Sequence, residues 1–129
     1  FPNVHLIQTS SSSEIFEQMV RIGKEDVIIG ISFPRYSVKT IQTVSFAKNR
    51  KAKIIAITDG EQSPLAKYAD CSIYAGSDMV SFVDSLVAPL SVVNALLAAL
   101  SMRYKDSVTD TMLSMESIWN TMNEYERID

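Results

Sequence analysis

The chain has 129 residues, 47% of them hydrophobic, with 15 acidic against 12 basic side chains and a net charge of −3. That is enough for one domain with a packed core, and it excludes the disordered and fibrous classes. The acidic net charge and scattered cations argue against an unassisted grip on nucleic acid, which needs clustered Lys and Arg to displace counterions from phosphates.

The chain begins at Phe1 with no methionine and no basic region ahead of an apolar stretch. No signal peptide is therefore expected. A cytoplasmic protein is the reading, and this chain is read as a piece of something longer. Cys71 is the one cysteine; it offers neither a disulfide nor a metal set, and a small buried core role is expected. No cofactor is implied.

In chain order, Val4–Ile7 carries strand-forming residues and predicts a short strand. Ser11 stands three residues before Glu14, the spacing of a capping box, and Ile15, Phe16, Met19, Val20 and Ile22 follow on one helical face, with Gly23 as the expected stop. Val27-Ile28-Ile29-Gly30-Ile31 is a short β-branched run that predicts a strand buried on both faces. Ser32 to Ser37 is a polar turn broken by Pro34. A helix is expected from Ser37 to about Lys51, with Val38, Ile41, Val44 and Ala47 three apart.

The basic stretch Lys48 to Lys53 then falls at a helix C-terminus, where cations offset the macrodipole, and this reading is preferred over a nucleic-acid site. Lys53 to Thr58 predicts another strand, closed by Asp59-Gly60. Ser63-Pro64 starts a helix of little more than one turn, through Ala69. Asp70 to Ala75 predicts a short strand ended by Gly76.

Strands joined through helices run parallel, so the expected fold class is α/β, an open, doubly wound parallel sheet flanked by helices. Ligands sit beyond the carboxyl ends of such strands. Four segments fall at that edge: Thr9 to Ser12, Ser32 to Ser37, Thr58 to Ser63 and Gly76 to Asp78, all rich in hydroxyls. The turn into the helix at Ser37 aims backbone N–H groups and a positive dipole end at one point, an anion site.

From Val80 to Tyr104 the chain is long and nearly uncharged. Asp84, Asn94, Arg103, several serines and a mid-helix Pro89 argue against a membrane span. A helix apolar on most sides is buried on most sides, and a second subunit is the natural cover. Asp106 to about Arg127 places Val108, Met112, Met115, Trp119 and Met122 on an a/d seam, with Asp110, Glu116, Asn120, Glu124 and Arg127 opposite. That seam reads as packing or dimerisation, not as a cofactor box.

At GISFPRYSVKT, KIIAITD and SPLAKYAD the sequence resembles the SIS (sugar isomerase) domain family. Its nearest resemblance is to the effector domain of bacterial transcription regulators of the ribose-phosphate-isomerase-repressor (RpiR) type. The family pattern is roughly Ser-x-Ser-Gly-x-Thr followed by an acidic residue. Ser32 and Ser37 match the first serine and the threonine; Pro34, Arg35 and Lys39 replace the second serine, the glycine and the acidic residue.

What the resemblance implies is a phosphorylated-sugar effector, held by Ser32, Ser37 and adjacent amides, with Thr40, Ser11 and Ser63 as further candidates. Arg35 is either a cation for the phosphate or part of an exposed turn. The resemblance spans Val4 to Tyr125 as one SIS-like domain covering 1–129. Family members carry a preceding strand and helix, and repressors a helix-turn-helix domain before that, so the N-terminus is read as incomplete.

Catalysis is not favoured. His5 lies nearer the amino end of its expected strand than the ligand edge, Glu61, Asp78 and Asp84 have no partner in sequence, and no Gly-x-Ser-x-Gly elbow is present. The expectation is a non-catalytic, phosphosugar-sensing, dimerising effector domain without direct nucleic-acid or membrane contact. The alternatives are a sugar-phosphate isomerase of the same fold and a structural dimerisation module whose ligand site has decayed.

Overall fold

The computed structural model describes residues 3–7, 11–76 and 85–122. The chain divides into two compact units, His5–Val93 and Asn94–Asp129 together with Phe1–Val4.

The first unit is built on three parallel strands, β1 (Val27–Ile31), β2 (Lys53–Thr58) and β3 (Cys71–Tyr74), in the order β1-β2-β3. The register pairs Val27 with Lys53 through Ile31 with Ile57, and Ile55 with Cys71 through Thr58 with Tyr74. Helices α1 (Ser12–Gln18) and α2 (Val38–Asn49) and a 3-10 turn at Ala66–Tyr68 complete the frame. This is the parallel α/β architecture expected from the alternation of strand and helix signals.

Side chains alternate across a strand, so Ile28, Gly30, Ile54, Ala56 and Thr58 share one face. Here the core forms. Ile54, Ala56 and Leu65 are fully buried with Val44 and Ala47 of α2, and Ile15 of α1 and the capping residue Met19 close the edge. Gly30 sits at the centre because nothing larger fits: a Cβ there would lie 2.9 Å from Val44 Cγ2 and 3.3 Å from Leu65 Cδ1.

The opposite face differs from expectation. Val27, Ile29 and Ile31 are 56%, 50% and 50% exposed, so β1 is buried on one face, not both. A continuous apolar run demands cover on both faces but does not say what supplies the second cover. Cys71, expected in the core, shares that open face and is exposed.

Three local readings are also corrected. Residues 4–7 form no strand; Val4 and Leu6 point into solvent at 77% and 81% exposure, His5 is exposed, and only Ile7 leans on the core. Strand-prone residues make a strand only beside a ladder partner, and the free edge of β1 is not paired with them. Helix α1 ends at Gln18, capped by Met19, well before Gly23. Gly23 instead donates its N–H to Asp26 Oδ2 at 2.8 Å, in the turn that leads into β1. Ser11 holds the N-cap position, but no side-chain capping bond forms; its hydroxyl lies 2.7 Å from that of Ser13.

Helix α2 has the expected bounds and both its ends are specified. Ser37 Oγ accepts the Thr40 N–H at 3.3 Å. At the C-terminus Ala52 N–H reaches Ala47 O at 3.1 Å and Lys51 N–H reaches Lys48 O at 2.9 Å, a Schellman closure with Lys51 in the left-handed region at φ 68°. The basic stretch there is structural. Lys48 pairs with Asp70 at 2.7 Å. Arg50 lies over the Phe46 ring and donates to Val20 O, fastening α2 to the exit of α1, where Phe16 meets Phe46 edge-on at 5.2 Å.

The last two helices, α3 (Val87–Arg103) and α4 (Lys105–Met122), meet at Tyr104 with a bend of 103°. Pro89, expected mid-helix, falls in the first turn of α3, where a missing N–H costs nothing. Asp78 and Asp84 lie outside the described residues, as do Thr9, Glu124 and Arg127. Among the described residues no single helix is long and apolar enough to cross a membrane. The α4 seam is in place but open: Met112, Met115 and Met122 are exposed, Val108 and Trp119 are half-buried, and no residue of α4 is buried. Ser114 and Thr121 return their hydroxyl protons to the carbonyl four residues back, which mutes their polarity.

Candidate anion-binding site at the strand ends

The site grows out of the end of β1. Ser32 continues the ladder by donating its N–H to Ile57 O at 3.1 Å, which fixes the loop 32–37 against the end of β2. The buried Ser32 side chain accepts the Ser37 N–H at 3.2 Å. Ser37 in turn caps α2 through Thr40 N–H. Ser32, Ser37 and Thr40, read as candidates from sequence, are thereby joined in one hydrogen-bonded loop at the N-terminus of a 12-residue helix. The positive end of the helix dipole attracts an oxyanion at such a place.

Arg35 occupies the left-handed region at φ 68°. It stands where the sequence pattern resembles a glycine position, and the backbone keeps the conformation glycine would favour, at a cost of roughly 1–2 kcal/mol for a residue with a Cβ. Its side chain is exposed, as are Pro34 and Lys39.

Sequence reading missed the pair that braces this loop. Tyr36 donates its phenol proton to Asp59, with Oδ1 at 2.9 Å and Oδ2 at 3.0 Å. Burial, followed by the hydrogen bond and the charge of Asp59, pushes the pKa of the Tyr36 phenol above its usual range, while Ser63 pulls the other way; the phenol stays a donor. Thr58 Oγ1 reaches Asp59 Oδ1 at 3.0 Å and Ser63 Oγ at 2.7 Å, and Ser63 Oγ also accepts the Leu65 N–H at 3.2 Å. The signal that would have found the pair is register: once Ser32 pairs with Ile57, Tyr36 and Asp59 face each other across the two loops.

Ser63 is therefore fully buried beneath the site, its oxygen engaged by Thr58 and Leu65. Ser11 sits at the head of α1 beside Ser13. Neither is drawn into the loop formed by Ser32, Ser37 and Thr40. A shallow, largely apolar cavity of about 670 Å³ lies further along the same sheet edge, lined by Tyr74 to Gly76 and by Ser85, Val87, Ala88, Ser91 and Val92. Among the described residues no group of His, Cys, Asp or Glu is arranged to hold a metal ion.

Comparison with known proteins bears on the family and the fold. The SIS domain family model matches residues 6–99. An uncharacterized HTH-type transcriptional regulator from Caldanaerobacter subterraneus subsp. tengcongensis is 31% identical over 93% of this chain, which spans 43% of that relative's length. The crystal structure of an RpiR transcription factor from Sphaerobacter thermophilus (sugar isomerase domain) superposes with a TM-score of 0.80 at 27% identity, over 85% of this chain and 62% of that one. The Vibrio vulnificus NanR protein complexed with ManNAc-6P shares the fold with a TM-score of 0.68 at 19% identity, over 85% and 44% of the two chains.

Proposed function

Because this chain belongs to the SIS domain family, we propose that it is a phosphosugar-binding effector domain of an RpiR-type transcription regulator, acting by binding and not by catalysis. The observation that carries the reading is the loop in which Ser32, Ser37 and the capped N-terminus of α2 converge at the carboxyl edge of the parallel sheet. The phosphate sits against Ser32, Ser37 and Thr40, with Arg35 at the rim. Relatives named as HTH-type regulators and the NanR complex support an effector role.

A sensing role is favoured over isomerisation by what surrounds the loop. The lone histidine, His5, lies exposed in residues 4–7, and Tyr36 of the loop donates to Asp59. The open seam of α4 supports self-association, through which a ligand that binds two subunit arrangements unequally would reposition attached domains.

The test is a thermal-shift panel of glucose 6-phosphate, fructose 6-phosphate, glucosamine 6-phosphate, ManNAc-6P and ribose 5-phosphate on the full chain. At a ligand concentration of about 100 times Kd, the bound state gains about 2.7 kcal/mol, and a clear rise in Tm is expected for at least one member. No rise with any member contradicts the reading. Turnover of an aldose phosphate into its ketose would replace it with isomerase activity.

A further inference from the structure

The cradle of Ser32, Ser37 and Thr40 attracts any small oxyanion, so it does not explain how a phosphorylated sugar is told from an anion with nothing else to offer. We propose that Asp59, positioned by Tyr36, is the specificity residue that selects phosphate esters bearing hydroxyl groups and rejects anions that bring no hydrogen-bond donor. The inference rests on the phosphosugar reading and goes beyond it by naming what is read besides the phosphate.

Asp59 is beside the cradle by two independent ties. It follows Ile57 and Thr58 at the end of β2, where Ile57 O receives the Ser32 N–H, and it holds the phenol of Tyr36, the residue immediately before Ser37. A carboxylate in that position repels an incoming anion. It is the wrong group for an anion site unless the ligand also supplies protons for it to accept.

Hydrogen-bond directions support that purpose. Each hydroxyl has one proton to give. Thr58 Oγ1 is the donor to both Ser63 Oγ and Asp59 Oδ1, sharing its one proton between them, while Leu65 N–H donates to Ser63. Asp59 thus receives the Tyr36 proton and at most a share of the Thr58 proton, on a group with about four lone-pair positions. Asp59 is half-buried, so acceptor capacity remains on the side open to solvent. A sugar hydroxyl fills it; a methyl phosphate dianion does not.

The test measures binding of methyl phosphate and of each panel sugar phosphate to the full chain by calorimetry at pH 8, where both phosphates are dianions. Wild type is expected to bind the sugar phosphate at least about tenfold more tightly than methyl phosphate. Asp59→Asn keeps an acceptor for Tyr36 and removes the charge; it should weaken the sugar phosphate about tenfold and tighten methyl phosphate, so that the preference collapses. Tyr36→Phe leaves the charge and loses its positioning, and should weaken the sugar phosphate by a smaller factor while methyl phosphate gains nothing. Equal changes for both ligands in Asp59→Asn, or no change in either, overturn the specificity role and leave phosphosugar binding standing. Wild-type protein that binds neither ligand overturns both readings.

Discussion

The sheet unit and the α4 arm solve the same problem in opposite ways. In the first, α2 and the 3-10 turn approach β1 so closely that only Gly30 fits, and Val44, Ile54 and Leu65 lose almost all their exposure. In the second, a comparably apolar set of Met112, Leu113, Met115, Ile118 and Met122 stays in solvent. The difference shows where each part's stability comes from. The sheet unit is held by contacts within the chain, and a lone helix of 18 residues is marginal in water without something to pack on. Under the proposed reading the arm serves association and the sheet unit the ligand.

The sharpest way to break this contrast is Gly30→Ala, which forces a Cβ against Val44 and Leu65. It should cost about 1–3 kcal/mol by urea unfolding, with self-association unchanged at matched folded fraction; a neutral result would mean the contact at β1 is loose. Next, Ile118→Asp should weaken association at least tenfold, about 1.4 kcal/mol, in sedimentation equilibrium, with no loss in the Tm of the sheet unit. A monomeric wild type, or a variant that unfolds the whole chain, would contradict the division of roles.

A smaller gain is expected from Lys51→Gly at the left-handed end of α2. Relief of the Cβ strain should add about 1 kcal/mol; destabilisation would show that the Lys51 side chain matters more than its backbone.

The least effect concerns acid. The hydrogen bond and charge of Lys48, with the Ile54 N–H, hold the Asp70 carboxyl below its usual range. A group depressed in the folded state contributes stability above its unfolded value, and that contribution is lost as pH falls through the folded one. The sheet unit should lose more stability than Asp70→Asn below about pH 4, and parallel pH profiles for the two proteins would remove Asp70 from the account.

The sheet unit was largely legible because its signals are local and mutually consistent. β-branched runs at Val27–Ile31 and Lys53–Thr58 and the cap at Ser37 report the conformation of their own neighbourhood, whereas the helix expected from Ser63-Pro64 is only a 3-10 turn at Ala66–Tyr68. What failed depends on partners. Residues 4–7 have strand composition and no ladder, and β1 has apolar residues for a second face that the described residues leave half open. Gly23 looked like a helix stop because a glycine ahead of a strand signals equally well the turn it actually makes with Asp26. In the site, Ser32 and Ser37 were readable as helix-entry hydroxyls. Tyr36 and Asp59 were not, since their meeting is set by strand register 23 residues apart in the chain.

The central claim, that a phosphorylated sugar is held where β1 gives way to α2, is tested most directly by backbone amide NMR during titration with the sugar phosphate that raises Tm most. Saturable shifts concentrated at Ser32, Tyr36, Ser37, Thr40 and Asp59 are expected. Saturable shifts centred instead on the cavity at Tyr74 to Gly76 and Ser85 to Val92, with Ser37 and Thr40 unmoved, would contradict it.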